Sequence, residues 1–423
     1  MATSIEKIAE IAQDELDKEA ANDPIVKKSL HIVETFIKTH RVMCYGGTAI
    51  NNLLPPEDRF YDPDRDIPDY DFFSETPQLH AAKLADRLVK AGFKSVEVKP
   101  GVHLGTFKVF CEYIGVADIS HLDKPIFKKL WGESVVKESI HYVPPNFLRM
   151  SVYLELSRPK GDVSRWKKVY SRLMLLNKHY PMTCPASQKE MNDVFLPLDA
   201  KNRLESILVK EKVILLGFNA SELQKKDTDK WMLPLDLLVV PDKRKEFAQK
   251  VADVFQTKLT IKEIPPYGEL LPAHTDLDDP KSGKTVVRIY ETDACHSYHQ
   301  EKGGLMVASI PTLLQFFLAV LYAPKHFLEE LPEQRFLCTA QKLVEMANEN
   351  ASRRYKLLTP ITCLGTQKGL IDMRVQKSQL YEKLSKNKSS PEFLEYFFTY
   401  IPTSMDKTRR KKVREDLRKT LRR

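Results

Sequence analysis

A chain of 423 residues is too long for one average domain, so two or three are expected, and its 42% hydrophobic content suffices for real cores. No apolar run is long enough to span a membrane, and the charged, helix-periodic stretch 1–16 argues against a secretory signal. The formal charge is +9, and nearly all of it lies in 407–423, where ten Lys/Arg face only Glu415 and Asp416. Such a tail either attracts a polyanion by counterion release or stays solvated without a specific partner.

The six cysteines (Cys44, Cys111, Cys184, Cys295, Cys338, Cys363) are scattered and form no C-x-x-C. They predict reduced, buried thiols in a cytosol-like compartment and argue against a zinc site.

In chain order, Ile5, Ile8, Ile11 and Leu16 fall at helical spacing. Asp23-Pro24 then starts a second helix carrying Val26, Leu30, Val33, Phe36 and Ile37. Stretch 42–45 is a short β-prone run that ends at Gly46 and Gly47, and 48–53 can open a helix. Strand, double glycine and helix start form a phosphate-binding arrangement. Glycine lets the backbone approach closely, and free N–H groups at the helix start face the anion. A polar insert, 55–66, follows. Stretch 67–73 (I-P-D-Y-D-F-F) then reads as a strand whose alternation points Asp69 and Asp71 the same way. Two carboxylates on one face suit a pair of hard cations, because Mg²⁺ takes oxygen ligands and shares them with substrate phosphates.

Stretch 78–91 is an amphipathic helix with Gly92 as its C-cap. Stretches 93–98, 106–113 and 114–119 read as strands, with 101–106 a hairpin turn that leaves His103 exposed. Asp118 ends the last apolar run and is the candidate third carboxylate. Helix and strand interleave here as a mixed α/β sheet. From Pro144 the pattern turns helical, with Phe147, Met150, Tyr153 and Leu154 on one side. Residues 159–162 break it. A basic amphipathic helix follows, with Asp162 as N-cap and Arg165, Lys167, Lys168 and Arg172 around its polar side. Trp166 is either core or a base-stacking platform.

The local wording adds a resemblance. C-Y-G-G-T-A-I-N-N-L-L-P, I-P-D-Y-D-F-F-S, V-A-D-I-S and P-P-N-F-L-R-M-S-V-Y-L-E-L-S-R-P resemble the catalytic poly(A) polymerases of large nucleocytoplasmic DNA viruses. These are mimivirus-type and, more distantly, poxvirus enzymes of the DNA polymerase β-like nucleotidyltransferase superfamily. The likeness is dense from Arg41 to about Pro181 and thin afterwards. The 55–66 insert departs from the general superfamily pattern. The fold this implies is α+β, a polymerase β-like palm with a mixed sheet flanked by helices.

From about Ser187 the chain repeats the plan, as poxvirus enzymes do with a degenerate second copy. Stretch 212–216 with Gly217 stands for the strand and turn, W-M-L-P-L-D-L-L-V-V for the D-x-D strand, and T-D-A-C places Asp293 opposite Asp118. In this reading Gly47 has become Phe218 and the first Asp of D-x-D has become Pro234, so the second site has lost its chemistry. The alternative is an unrelated α/β domain in which Asp236 merely ends a strand. The expected organisation is 1–40 N-terminal helices, 41–185 catalytic domain, 186–325 degenerate copy, 326–406 helical region and 407–423 basic tail.

The resemblance implies template-independent transfer of AMP from ATP to the 3′ end of viral mRNA. Two Mg²⁺ or Mn²⁺ ions would be held by Asp69, Asp71 and Asp118. Gly46, Gly47 and Thr48 would hold the β- and γ-phosphates, with Arg165 and Lys168 as triphosphate or base contacts. A homodimer acting in the host cytoplasm, at the viral factory or within the virion, is also implied. The competing readings are a nucleotidyltransferase with another acceptor, such as a tRNA end or a small molecule, and a non-catalytic RNA-binding or processivity subunit. The complete carboxylate set argues against the last.

Overall fold

The structure is a computed structural model. It describes residues 4–185, 193–225, 228, 230–255, 257–324, 327, 331–349, 355 and 358–403. The basic tail, 407–423, lies outside the described residues. Two compact units are formed. The first takes the described part of Met1–Pro144 together with that of Leu370–Arg423, and the second takes Pro145–Gly369. The expected catalytic span 41–185 is therefore divided at Pro144, where the sheet of the first unit has ended and a helix begins.

In the first unit, helix α1 (Ile5–Asn22) is capped by the Ser4 side chain and α2 (Pro24–Thr39) by Asp23, with Pro24 at its first turn. α2 buries Val26, Val33, Phe36 and Ile37 at helical spacing. α1 buries only Ala21 and keeps Ile5, Ile8, Ile11 and Leu16 exposed. Strand β1 (Met43–Cys44) leads into α3 (Gly46–Leu53), β2 (Tyr70–Ser74) and α4 (Pro77–Lys90). β3 (Val96–Pro100), β4 (Thr106–Cys111) and β5 (Ile114–His121) follow, then α5 (Lys124–Glu133), β6 (Val135–Lys137) and β7 (Ile140–Tyr142). The seven strands lie in the order β3-β4-β5-β2-β1-β7-β6. β2 runs parallel to β5, and the two neighbours β1 and β4 run antiparallel to that pair. The 55–66 insert is fastened by Asn51, whose Oδ1 accepts from the backbone N–H groups of Phe60 and Tyr61, both at 2.9 Å.

The second unit starts with α6 (Pro145–Leu156) and α7 (Trp166–His179). Asp162 accepts from Ser164 N and caps a 3-10 turn, Val163–Arg165, that leads into α7, whose own N-cap position is Arg165 and not Asp162 as expected. Arg149 of α6 is buried and fully engaged: its Nε donates to Asn177 Oδ1 at 2.6 Å, and its two terminal nitrogens donate to Asn146 and to the Tyr180 carbonyl. After α8 (Leu198–Glu211) come β8 (Ile214–Leu216), α9 (Gly217–Lys225), β9 (Leu235–Val239) and α10 (Arg244–Ala252). β10 (Thr260–Ile264), β11 (His274–Asp278), β12 (Thr285–Glu291), β13 (His296–Gln300), β14 (Met306–Ala308) and α11 (Ile310–Val320) complete the series. A last short strand, β15 (Cys363–Leu364), edges the sheet, whose order is β10-β11-β12-β9-β8-β14-β13-β15. Apart from β15, this is the order of the first sheet strand for strand. Every parallel or antiparallel relation is also kept: β9 with β12 and β8 with β14 run parallel, as β2 with β5 and β1 with β7 do. The second sheet thus repeats the topology of the first.

The thiol expectation holds for two cysteines and fails for four. Cys44 and Cys111 are free and buried, whereas Cys184 is bonded to Cys338 and Cys295 to Cys363. Both bonds lie in the second unit and join residues 154 and 68 positions apart. The Cys295–Cys363 bond joins β15 to the start of β13, because Ser297 and Cys363 are cross-strand partners.

Candidate active site

Three residues on adjacent strands form one cross-strand row. Asp71 on β2 lies opposite Asp118 on β5, and Asp118 lies opposite Lys108 on β4. Residues in such register point to the same face of a sheet. Asp69 precedes β2 by one residue and joins the same face. One carboxylate oxygen from each of Asp69, Asp71 and Asp118 lies within 4.8 Å of the others. The Lys108 ammonium donates to Asp118 Oδ2. Asp69 is exposed and the other two aspartates are half-buried. Its carboxyl is nevertheless held above the ordinary value of 3.8, first by desolvation and then by the Asp118 charge, with Lys108 acting the other way.

The turn between β1 and α3 is built around these carboxylates. Gly46 has φ +73°, and a Cβ there would come within 2.6 Å of Asp71 Oδ2, so the position needs glycine twice over. Tyr45 N donates to the Asp71 carbonyl at 3.0 Å, and Thr48 Oγ1 donates to the Asp69 carbonyl at 2.6 Å. The start of α3 is thereby tied to both ends of the D-Y-D segment. The Thr48 hydroxyl proton is committed to that tie, so what Thr48 can offer a phosphate is its backbone N–H. Among the described residues no side chain caps α3, which leaves the first-turn N–H groups of Gly46, Gly47 and Thr48 without a side-chain acceptor there. Next to the carboxylates, Tyr45 stacks on Phe73 at 3.9 Å, and its hydroxyl meets Ser120 Oγ at 2.9 Å, which in turn meets Thr106 Oγ1 at 3.0 Å.

The equivalent centre of the second sheet has the same register and different residues. Asp236 on β9 lies opposite Arg288 on β12, and Arg288 lies opposite Asp276 on β11. Gly217 repeats Gly46, with φ +66° and a Cβ position only 2.3 Å from Asp236 Oδ2. Arg288, not Asp293, therefore occupies the position of Asp118. Asp293 lies beyond β12, exposed in the turn before β13. Arg288 grips Asp276 with two bonds, Nε to Oδ1 at 2.8 Å and Nη2 to Oδ2 at 3.2 Å. Phe316, Phe317, Phe327 and Phe336 crowd the space around Gly217 and Asp236, and the remaining cavity is about 20 Å³, room for about one water.

Arg165 and Lys168 lie in the second unit, at the start of α7, and are exposed. Arg165 Nε pairs with Glu155 of α6 at 3.2 Å. Trp166 is half-buried and His103 exposed.

Residues 31–162 match the family of poly(A) polymerase catalytic subunits. That span holds all three aspartates, Lys108 and the glycine turn. A candidate poly(A) polymerase catalytic subunit of African swine fever virus (isolate Pig/Kenya/KEN-50/1950) is 30% identical over 171 residues, covering 39% of this chain and 36% of the relative. One from Acanthamoeba polyphaga mimivirus is 27% identical over 185 residues, covering 42% and 31%. The matched part thus spans about a third of these curated relatives. Among solved structures, the Megavirus polyadenylate synthase superposes with a TM-score of 0.76 at 20% identity, over 98% of this chain and 88% of that one. The expected α+β fold, with mixed sheets flanked by helices, is the fold of that synthase.

Proposed function

We propose that the protein is a poly(A) polymerase, extending an RNA 3′ end with AMP from ATP at the site formed by Asp69, Asp71 and Asp118. The observation that carries the reading is the cross-strand row of Asp71 and Asp118, joined by Asp69 and set beneath the uncapped start of α3. Hard oxygen donors in a cluster with one lysine against three carboxylates fit Mg²⁺ or Mn²⁺. Asp69 and Asp71 would hold both of two ions and Asp118 would join them on one. Bound there, divalent cations supply charge neutralisation for the triphosphate and leaving pyrophosphate and acidify the attacking 3′ hydroxyl.

The chain's own residues do the rest. Gly46 lets the backbone pass over Asp71, and the N–H groups of Gly46, Gly47 and Thr48 face the β- and γ-phosphates at the positive end of α3. The Thr48 and Tyr45 bonds fix the two aspartates relative to that anion cradle. RNA as acceptor and adenine as the base rest on the viral relatives. Arg165 and Lys168 enter the proposal as triphosphate or base contacts, and self-sufficiency as a homodimer in the host cytoplasm rests on the mimivirus-type resemblance.

The test incubates purified protein with labelled RNA primer, each NTP separately, and Mg²⁺ or Mn²⁺, beside Asp69→Ala/Asp71→Ala. Long ladders with ATP alone, lost in the double variant, are expected. Additions of one to three nucleotides, or a preference for CTP or UTP, would instead indicate another acceptor. No extension by a folded protein that still binds primer would indicate a non-catalytic subunit.

A further inference from the structure

Lys108 is a cation built into a cation site. It is delivered by a strand rather than a loop: Phe107 and Val109 on either side of it are buried, and β4 is hydrogen-bonded on both edges, to β3 and β5. Its register partner is Asp118, and its ammonium is in contact with Asp118 Oδ2. One oxygen of the third carboxylate is therefore already engaged by the protein's own positive charge.

The second sheet keeps an ion pair at the same two register positions with the signs exchanged, Asp276 on β11 and Arg288 on β12. There the cation sits in the middle of the row, and the centre is closed. In the first sheet the cation sits at the outer end of the row and the centre is left with three carboxylates. A surface pair held only for sheet stability would be worth little and need not contact a metal-ligand candidate.

We propose that Lys108 is a positioning residue that lowers the intrinsic cation affinity of the site. It occupies Asp118 in the absence of substrate, so that the carboxylates hold a divalent cation weakly and the site loads only with the triphosphate, whose oxygens add ligands and negative charge. Asp118 exchanges Lys108 for the incoming cation at that point. The idea rests on reading the three aspartates as metal ligands.

The test measures Mn²⁺ binding to the full chain without nucleotide, by electron paramagnetic resonance, and again with a non-hydrolysable nucleoside triphosphate. Lys108→Met is expected to bind Mn²⁺ about tenfold more tightly than the native protein without nucleotide, because a unit positive charge beside the ligands has gone. Lys108→Arg should stay near native affinity, and the difference should shrink once the triphosphate is present. Unchanged or weaker Mn²⁺ binding by a folded Lys108→Met would overturn the proposal and leave Lys108 a plain cross-strand ion pair. Lys108→Gln gives the same readout if the Met variant does not fold. Asp69→Asn/Asp71→Asn separates the two levels: native Mn²⁺ affinity in that variant would sink the metal-ligand reading itself, whatever Lys108 does.

Discussion

Gly46 and Asp71 leave no room for a methyl group between them: a Cβ on Gly46 would lie 2.6 Å from Asp71 Oδ2. Gly46→Ala should therefore move the aspartate as well as strain the backbone at φ +73°. The expected loss is about a hundredfold or more in primer extension, since displacements on the scale of an ångström carry that weight. The stability loss should be about 1–2 kcal/mol, the cost of a left-handed alanine. Gly217→Ala meets the same obstacle at Asp236 and should lower thermal stability with a much smaller effect on extension. Equal losses of activity in the two variants would contradict the assignment of chemistry to the first sheet.

Arg288 is buried between Asp276 and Asp236. Arg288→Ala would leave the buried Asp276 without its guanidinium, a change that typically costs about 3–5 kcal/mol. Arg288→Ala/Asp276→Ala should recover much of that loss, because it removes the second charge too. A double-variant cycle read by denaturant midpoint checks this, and additivity of the two single changes would count against the pairing.

Acid should weaken the protein through its buried histidines. His296 is fully enclosed, and burial, helped by the Arg158 charge, pushes it down to about 3. His299 and His80 are pushed down to about 4, chiefly by desolvation. Above the ordinary value of 6.5 these rings are neutral whether folded or unfolded, and nothing changes. Below it the unfolded chain takes protons that the folded chain refuses, so stability falls as pH drops from 6.5 toward the folded values. A fully enclosed ring contributes a slope of about 1.4 kcal/mol per pH unit. His80 is only half-buried and contributes less. Thermal midpoints at pH 7.5, 5.5 and 4.5 should fall more steeply for the native chain than for His296→Gln, and parallel curves would refute this.

Thiol counting separates the two classes of cysteine. Unfolded without reductant, the chain should show two thiols, Cys44 and Cys111, and six after reduction. In the folded state those two should react slowly, because burial raises Cys44 far above its usual range and lifts Cys111 to about 12. Six thiols before reduction would show that neither disulfide forms.

Much of the first site was legible because its parts are local. The double glycine and D-x-D fall at the ends of short strands, Asp118 sits in an apolar run inside β5, and strand alternation alone puts Asp69 and Asp71 on one face. The repeat was legible as a pattern, but Asp293 was misplaced because T-D-A-C looks like A-D-I-S while register is counted by hydrogen bonding between strands. Lys108 passes in sequence for an ordinary strand lysine, and only its pairing with Asp118 gives it a role. The disulfides join distant residues and leave no spacing signal. The β6–β7 hairpin escaped notice because Glu138 and Ser139 take positive φ, 51° and 64°, in a turn that usually advertises itself with Asn or Gly.

The filled space beside Gly217 bears on whether the second sheet could be given a site like the one proposed for the first. Restoring carboxylates at Pro234 and Arg288 would repair the charge pattern but leave Phe316, Phe317, Phe327 and Phe336 lining the space. Small-molecule sites need about 300 Å³ or more, against the roughly 20 Å³ left among the phenylalanines. Volume as well as ligand identity separates the second sheet from the first. Opening such a site would have to begin by trimming Phe317 and Phe336, which are also core residues, so each step toward chemistry would be a step away from a stable second unit.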